Sequence, residues 1–119
     1  MISKIYDSEL KVMEVLWQNG AMTARDLAGL LQVQVGWRKT TTYTVIKKCL
    51  DKGIVAKEEP NFLCRPLISR EQVQKLETAD LIDKMYDGAP DLLIAALLES
   101  DTLSPDQIKK LKRLVEELE

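Results

Sequence analysis

The sequence contains no histidine, which removes the commonest general base and the commonest metal ligand. Cysteine is scarce as well: Cys49 and Cys64 stand alone, without a Cys-x-x-Cys spacing, so no disulfide framework is expected. No apolar run approaches the roughly 20 residues that a membrane span needs. The opening Met-Ile-Ser-Lys-Ile-Tyr-Asp lacks the long apolar core of a secretory leader, so a cytoplasmic protein is expected. There is no glycine-rich phosphate loop and no cluster of metal ligands. No catalytic constellation can be assembled from what remains, and neither an enzyme nor a cofactor is expected. A strong net charge is also missing. At −2 the chain is not a nonspecific nucleic-acid coat.

What the chain does have is uneven. Residues 36–57 carry Arg38, Lys39, Lys47, Lys48, Lys52 and Lys57 against Asp51 alone, a local +5 that leaves −7 for the rest. Within 37–52, stopped by Gly53, helical spacing separates two chemistries. Thr42, Val45, Ile46, Cys49 and Leu50 form an apolar stripe, and Thr40, Tyr43, Thr44, Lys47 and Lys48 share the opposite side. Cations and hydroxyls suit phosphates and short polar groups suit base edges, which is what a helix in a DNA major groove needs. A solvated helix face is the bland alternative for the lysines. Cys49, on the stripe, reads as a small buried hydrophobe. For Cys64, thiol chemistry stays open.

The surroundings of this helix give it a context. Asp7 precedes a helix over 8–19, with Leu10, Val12, Met13, Leu16 and Trp17 on one face and Gly20 at its end. Thr23-Ala24-Arg25-Asp26 resembles a capping box and opens a short helix that buries Ala24, Leu27, Ala28, Leu30 and Leu31. Residues 32–38 read as a connector. After Gly53 the period changes: 54–58 and 62–68 read as short strands around the turn Glu59-Pro60-Asn61. Pro66 cannot donate to a ladder, so its strand lies at an edge or ends there. Three helices and a hairpin, in that order, make a winged helix-turn-helix.

The remainder reads as three helices. Ser69-Arg70-Glu71-Gln72 is a capping-box pattern that opens a helix to about Asp87, with Val73, Leu76, Ala79, Ile82, Met85 and Tyr86 as its apolar positions. Pro90 suits the first turn of a helix containing Leu92, Leu93, Ile94, Ala95, Ala96, Leu97 and Leu98, apolar all round. Ser104-Pro105-Asp106-Gln107 caps a last helix with Ile108, Leu111, Leu114, Val115 and Leu118 on one face. Three such helices are too few to enclose 92–98. Either a second copy of the chain covers it, resembling a domain core cut in half, or the winged domain does. The expected fold is therefore mainly α: a winged-helix domain over 1–69 and a helical dimerisation domain over 70–119. The expected dimer contacts are Val73, Leu76, Ile82, Met85, Leu92, Leu93, Leu97, Leu98, Leu111, Leu114, Val115 and Leu118. A two-fold dimer would present two reading helices to a palindrome.

The run from Asp7 to Trp17 resembles the Asp-x-Glu-x-x-Val-Met-x-x-(Ile/Leu)-Trp signature of the penicillinase repressor and methicillin-resistance regulator family, which includes copper-transport repressors. The similarity continues through Trp37, Thr41, Lys52-Gly53-Ile54, Leu67-Ile68-Ser69 and Leu103-Ser104 to Ile108 and Leu111. The resemblance implies a homodimeric transcriptional repressor bound to a palindromic operator, double-stranded DNA, in a promoter. Its reading-helix contacts fall on Lys39, Thr40, Tyr43, Thr44, Lys47 and Lys48, in agreement with the periodicity. Beta-lactam-responsive members are inactivated by a protease at an Asn-Phe bond. Ala96-Leu97 stand there, so an inducer of another kind is left open. Copper-responsive members carry a cysteine-rich tail that has no counterpart up to Glu119, so copper sensing is not expected. Glu58-Glu59 at the wing tip would repel phosphate and weaken the wing's part in binding. Tyr6 replaces the usual Ser or Thr cap of the first helix, with Asp7 the expected substitute.

Individual residues divide as follows. Trp17 and Trp37 are expected as core anchors rather than base-stacking groups. Tyr43 could reach a phosphate or a thymine methyl. Thr41 is expected to start or pack the helix, and Lys47 and Lys48 to contact phosphates. Arg38 and Lys39 lie at a helix N-terminus, where the macrodipole disfavours cations. A DNA phosphate would relieve that cost. Arg65 could reach a phosphate from the wing or be an ordinary surface arginine. The competing reading for the whole chain is a winged-helix protein-interaction module that binds no specific DNA.

Overall fold

In the computed structural model, which describes residues 4–118, helix α1 spans Asp7–Asn19. The termini of the two expected domains, at 1 and 119, lie outside the described residues. Asp7 is not the cap of α1. Tyr6 holds the extended cap conformation, and Glu9, at the third helical position, reaches back to accept the Tyr6 N–H at 2.8 Å. That carboxylate supplies what the missing Ser or Thr would have supplied. Val12, Met13, Val15 and Leu16 are buried along α1.

Strand β1 (Met22–Thr23) precedes α2 (Ala24–Val35). Thr23 caps α2 by accepting the Asp26 N–H at 3.1 Å. The helix runs four residues past the expected connector start, because backbone bonding continues after the apolar pattern stops at Leu31. Gly36 ends it at φ 81°, donating to Gln32 and Leu31 carbonyls. A left-handed closure of this kind favours glycine. The connector is thus 36–38. Helix α3 (Lys39–Lys52) follows and packs on both α1 and α2.

Strands β2 (Val55–Glu58) and β3 (Leu63–Pro66) form the hairpin. β3 is central rather than at an edge: it pairs antiparallel with β2 on one side and β1 on the other. Pro66 is tolerated as its last residue, opposite Val55 and beyond the reach of β1. The core gathers Met13 and Leu16 of α1, Leu27 and Leu31 of α2, Ile46 and Cys49 of α3, and Ile54 and Cys64 from the hairpin region.

Thr42 of α3 is fully buried, and its hydroxyl has no hydrogen-bond partner among the described residues. Burying an unsatisfied hydroxyl costs about 1–3 kcal/mol. Thr42→Val keeps the β-branched shape and removes the hydroxyl. It is expected to raise stability by about 1 kcal/mol in urea unfolding. A lowered midpoint would show that the hydroxyl is bonded after all.

Helix α4 (Arg70–Met85) opens with the expected reciprocal cap: Ser69 and Gln72 exchange hydrogen bonds at 3.0 and 2.8 Å. It ends two residues earlier than expected, and Asp87 and Gly88 then turn through positive φ. Helices α5 (Pro90–Glu99) and α6 (Pro105–Glu117) complete the chain, α6 capped by the Ser104–Gln107 pair. The chain divides into two compact units after Gln74, five residues later than the expected boundary. The first turn of α4 belongs to the first unit, where Val73 is only 4% exposed. Val73, expected as a dimer contact, is thus packed in the core of the first unit. In the second unit no described residue is buried. No helix among the described residues is long and apolar enough to cross a membrane.

Candidate nucleic-acid interface

The two faces of α3 separate as the periodicity predicts. Thr42, Val45, Ile46 and Cys49 are buried, while Arg38, Lys39, Thr40, Tyr43, Thr44, Lys47 and Lys48 are exposed. Leu50 is partly buried against the same core. Arg38 occupies the cap position of α3 without making a side-chain cap, and the first turn holds no acid. Its leading N–H groups and two cations are left to one another, an arrangement that an anion relieves. Among the described residues, Arg38, Lys39, Lys47 and Lys48 take part in no ion pair, so their charge is free for a ligand.

The other two cations of the basic stretch are committed internally. Lys52 lies 2.6 Å from the Glu9 carboxylate, which is 1% exposed, and also donates to the Lys4 carbonyl. Lys57 pairs with Glu59 at 3.3 Å and sits over the Phe62 ring at 4.2 Å. Arg65 is likewise engaged. Its guanidinium donates to both oxygens of Glu58, at 2.6 and 3.4 Å, across the β2–β3 pair. The bond holds the Glu58 carboxyl below its ordinary range and pushes the Arg65 guanidinium above its own. The wing carboxylates expected to repel phosphate are thus balanced by neighbours, and the wing brings no free cation from Arg65.

Thr44 returns its hydroxyl to the Thr40 carbonyl at 2.9 Å, leaving hydroxyl lone pairs outward. Thr41, in the first turn of α3, is exposed and does not pack in the core. With Ser8, Thr40, Thr44, Val45 and Lys48 it lines a cleft of about 380 Å³ between the start of α1 and α3. Ser8 was not expected there. Only the packing of α1 on α3 brings it in. Tyr43 is 40% exposed and meets Phe62 edge-on, ring centroids 6.0 Å apart and planes at 74°. Phe62, expected at the start of the second strand, precedes β3, which begins one residue later at Leu63 and runs only to Pro66.

Both tryptophans anchor the core as expected. Trp17 donates its indole N–H to the Ile68 carbonyl at 2.8 Å under the Arg70 guanidinium, and Trp37 packs against the core. Both thiols are fully buried. Burial, then the Glu9 carboxylate, pushes the Cys49 thiol up to about 12. Burial also raises Cys64, so this fully buried thiol holds little of the thiolate that thiol chemistry needs. Among the described residues no group of three metal-ligating side chains converges.

A family model described as penicillinase repressor matches residues 5–117, nearly the whole chain. The chain belongs to the penicillinase repressor family. Within it, the penicillinase repressor of Bacillus licheniformis is 26% identical over 98% of this chain and 92% of its own length. The methicillin resistance regulatory protein MecI of Staphylococcus aureus (strain N315) is 25% identical over 94% and 93%. Among solved structures, the DNA-binding domain of the repressor BlaI superposes with a TM-score of 0.56 at 24% identity, over 60% of this chain and 90% of that one. That likeness concerns the fold. The monomeric form of Bacillus licheniformis BlaI in complex with the blaP half-operator gives 0.52 at 27% identity, over the same shares. Penicillinase repressor family members are transcriptional regulators and not enzymes, which favours the repressor reading over the interaction module.

Proposed function

We propose that this chain is a homodimeric, sequence-specific DNA-binding transcriptional repressor that lays α3 in the major groove of a palindromic operator. One observation carries the reading. Lys39, Thr40, Tyr43, Thr44, Lys47 and Lys48 share the exposed face of a helix whose other face is locked into the core. Such a face is rigid, cationic at both ends and lined with hydroxyls, which suits phosphate positioning and base-edge readout together. Lys47 and Lys48 serve phosphates, while Thr40, Tyr43 and Thr44 stand at the depth of base edges. The complex of the B. licheniformis relative with half-operator DNA supports the same use of this fold.

The second unit supports the dimer. Leu76, Met85, Leu92, Leu97, Leu98, Leu114, Val115 and Leu118 are exposed, and Ile82, Leu93 and Leu111 are only half covered. A monomer seldom leaves so many large apolar side chains of one small unit in water. A second copy is the cover that makes the interface self-complementary and gives two reading helices about one DNA turn apart. Ala96 and Leu97 sit within α5, where the Asn-Phe pair would stand, and an inactivating protease or another inducer stays open.

Selection of bound sequences from a random DNA pool tests the whole reading. A palindrome with half-sites about one helical turn apart is expected. The double variant Lys47→Ala, Lys48→Ala is expected to weaken binding to every sequence. It should also flatten the salt dependence by about two phosphate contacts per protomer. An unchanged slope removes α3 from the interface.

A further inference from the structure

Phe62 is the residue that the reading-helix account leaves over. It is a bulky aromatic residue held at φ 52°, in the left-handed region that such side chains rarely adopt. Conformations of this kind persist only where the surroundings over-determine them. Here the surroundings come from four elements. The Phe62 carbonyl accepts the N–H of Ala24, the first residue of α2, at 2.9 Å. The Cys64 thiol of β3 lies against the same oxygen. Lys57 of β2 places its ammonium 4.2 Å over the ring, and the ring meets Tyr43 of α3 in a T-shaped contact. Phe62 is therefore pinned by its backbone to the start of the helix-turn-helix and by its ring to the reading helix.

We propose that Phe62 is a positioning residue for sequence readout: its ring fixes the rotamer of Tyr43 before DNA arrives, so that the phenol meets its base without an ordering cost. The inference rests on the assignment of α3 as the reading helix. Tyr43 is the largest side chain on that face and has two side-chain torsions to restrain. An exposed tyrosine with no neighbour pays to order itself on binding. One already held edge-on by a second ring has paid during folding. Lys57 strengthens the device, because a cation over the ring helps to hold Phe62 in its seat. Phe62 is not required to touch DNA for this.

The test combines Phe62→Leu, Phe62→Tyr and Tyr43→Ala in the full-length protein, each checked for an unchanged thermal midpoint. Affinities are measured for the selected operator, for its single-base-pair variants and for random-sequence DNA. Phe62→Leu is expected to lower operator affinity about 2- to 10-fold while leaving random-sequence affinity and the salt slope unchanged. The loss should concentrate at one base-pair position in each half-site. Phe62→Tyr keeps the ring edge and should retain discrimination. In the Tyr43→Ala background, Phe62→Leu should cost nothing further. A loss that adds in full to that of Tyr43→Ala, or one spread equally over all sequences, overturns the proposal. If Phe62→Leu does not fold, loss of discrimination in Phe62→Tyr overturns it on its own. A selection that returns no motif from the unmutated protein overturns the reading-helix assignment instead, and the positioning role with it.

Discussion

Lys52→Met is expected to lower the unfolding free energy of the winged-helix unit by about 3–5 kcal/mol. Lys52 ends α3 and reaches back to the start of α1. Its ammonium meets the Glu9 carboxylate at 2.6 Å, the Lys4 carbonyl and the face of Tyr6 at 4.6 Å. The two charges differ in exposure: the Glu9 side chain is 1% exposed and that of Lys52 18%. Methionine keeps the aliphatic stem and deletes the cation. Glu9 is then a buried carboxylate left, among the described residues, with the Tyr6 N–H as its remaining donor. Removing one partner of a buried pair is costly because the other cannot regain water. Glu9→Gln should cost less, about 1–2 kcal/mol, since the partly exposed Lys52 can turn outward. Glu9→Gln combined with Lys52→Met should recover most of the loss, because removal of both charges is often nearly neutral. Urea unfolding of the four proteins measures this cycle. If the double variant falls by the sum of the single losses, the ammonium and carboxylate do not depend on one another.

The same pair shows where the sequence could be read and where it could not. The apolar stripe and the polar face of α3 were legible because helical periodicity applies to a continuous segment, and Thr42, Val45, Ile46 and Cys49 are buried as that period requires. The cap at Thr23 and the capping boxes at Ser69 and Ser104 were legible for the same local reason. Glu9 was not, since a carboxylate in an amphipathic helix reads as surface. Only Lys52, 43 residues later, makes its burial tolerable. Lys52 in turn adds to the local charge of 36–57, yet its ammonium is committed to Glu9. Strand β1 is two residues long, too short for any alternation to register, and exists because β3 offers it an edge. The end of α2 was misplaced because Val33 and Val35, exposed, do not continue the core pattern while the backbone continues the helix. Val73 fits the apolar period of α4 equally well as a dimer contact or as core. Its seat in the first unit depends on contacts far away in sequence. Phe62 is the extreme case, because a positive φ and an aromatic contact to α3 leave no trace in the local pattern.

Leu97→Glu is expected to convert the proposed dimer to monomer and to abolish operator binding at the concentrations where the unmutated protein binds. Leu97 lies in the apolar run of α5, 39% exposed, with Leu93 one turn earlier and half buried. In a two-fold interface each substitution occurs twice, so two carboxylates enter an apolar contact together. Each charge buried there costs several kcal/mol, more than most dimers can absorb. The winged-helix core contains no residue of α5, so the reading helix should keep its fold and its intrinsic affinity for a half-site. What is lost is the second attachment. Two linked half-sites gain about 10²–10⁴ in affinity over one, and a monomer forfeits that factor. Sedimentation measures the assembly and a gel shift on the full palindrome and on a single half-site measures the binding. Loss on the palindrome with a preserved weak shift on the half-site is the expected pattern, and Leu93→Glu should reproduce it. An unmutated protein that sediments as a monomer, or a Leu97→Glu variant that remains dimeric, removes α5 from the interface.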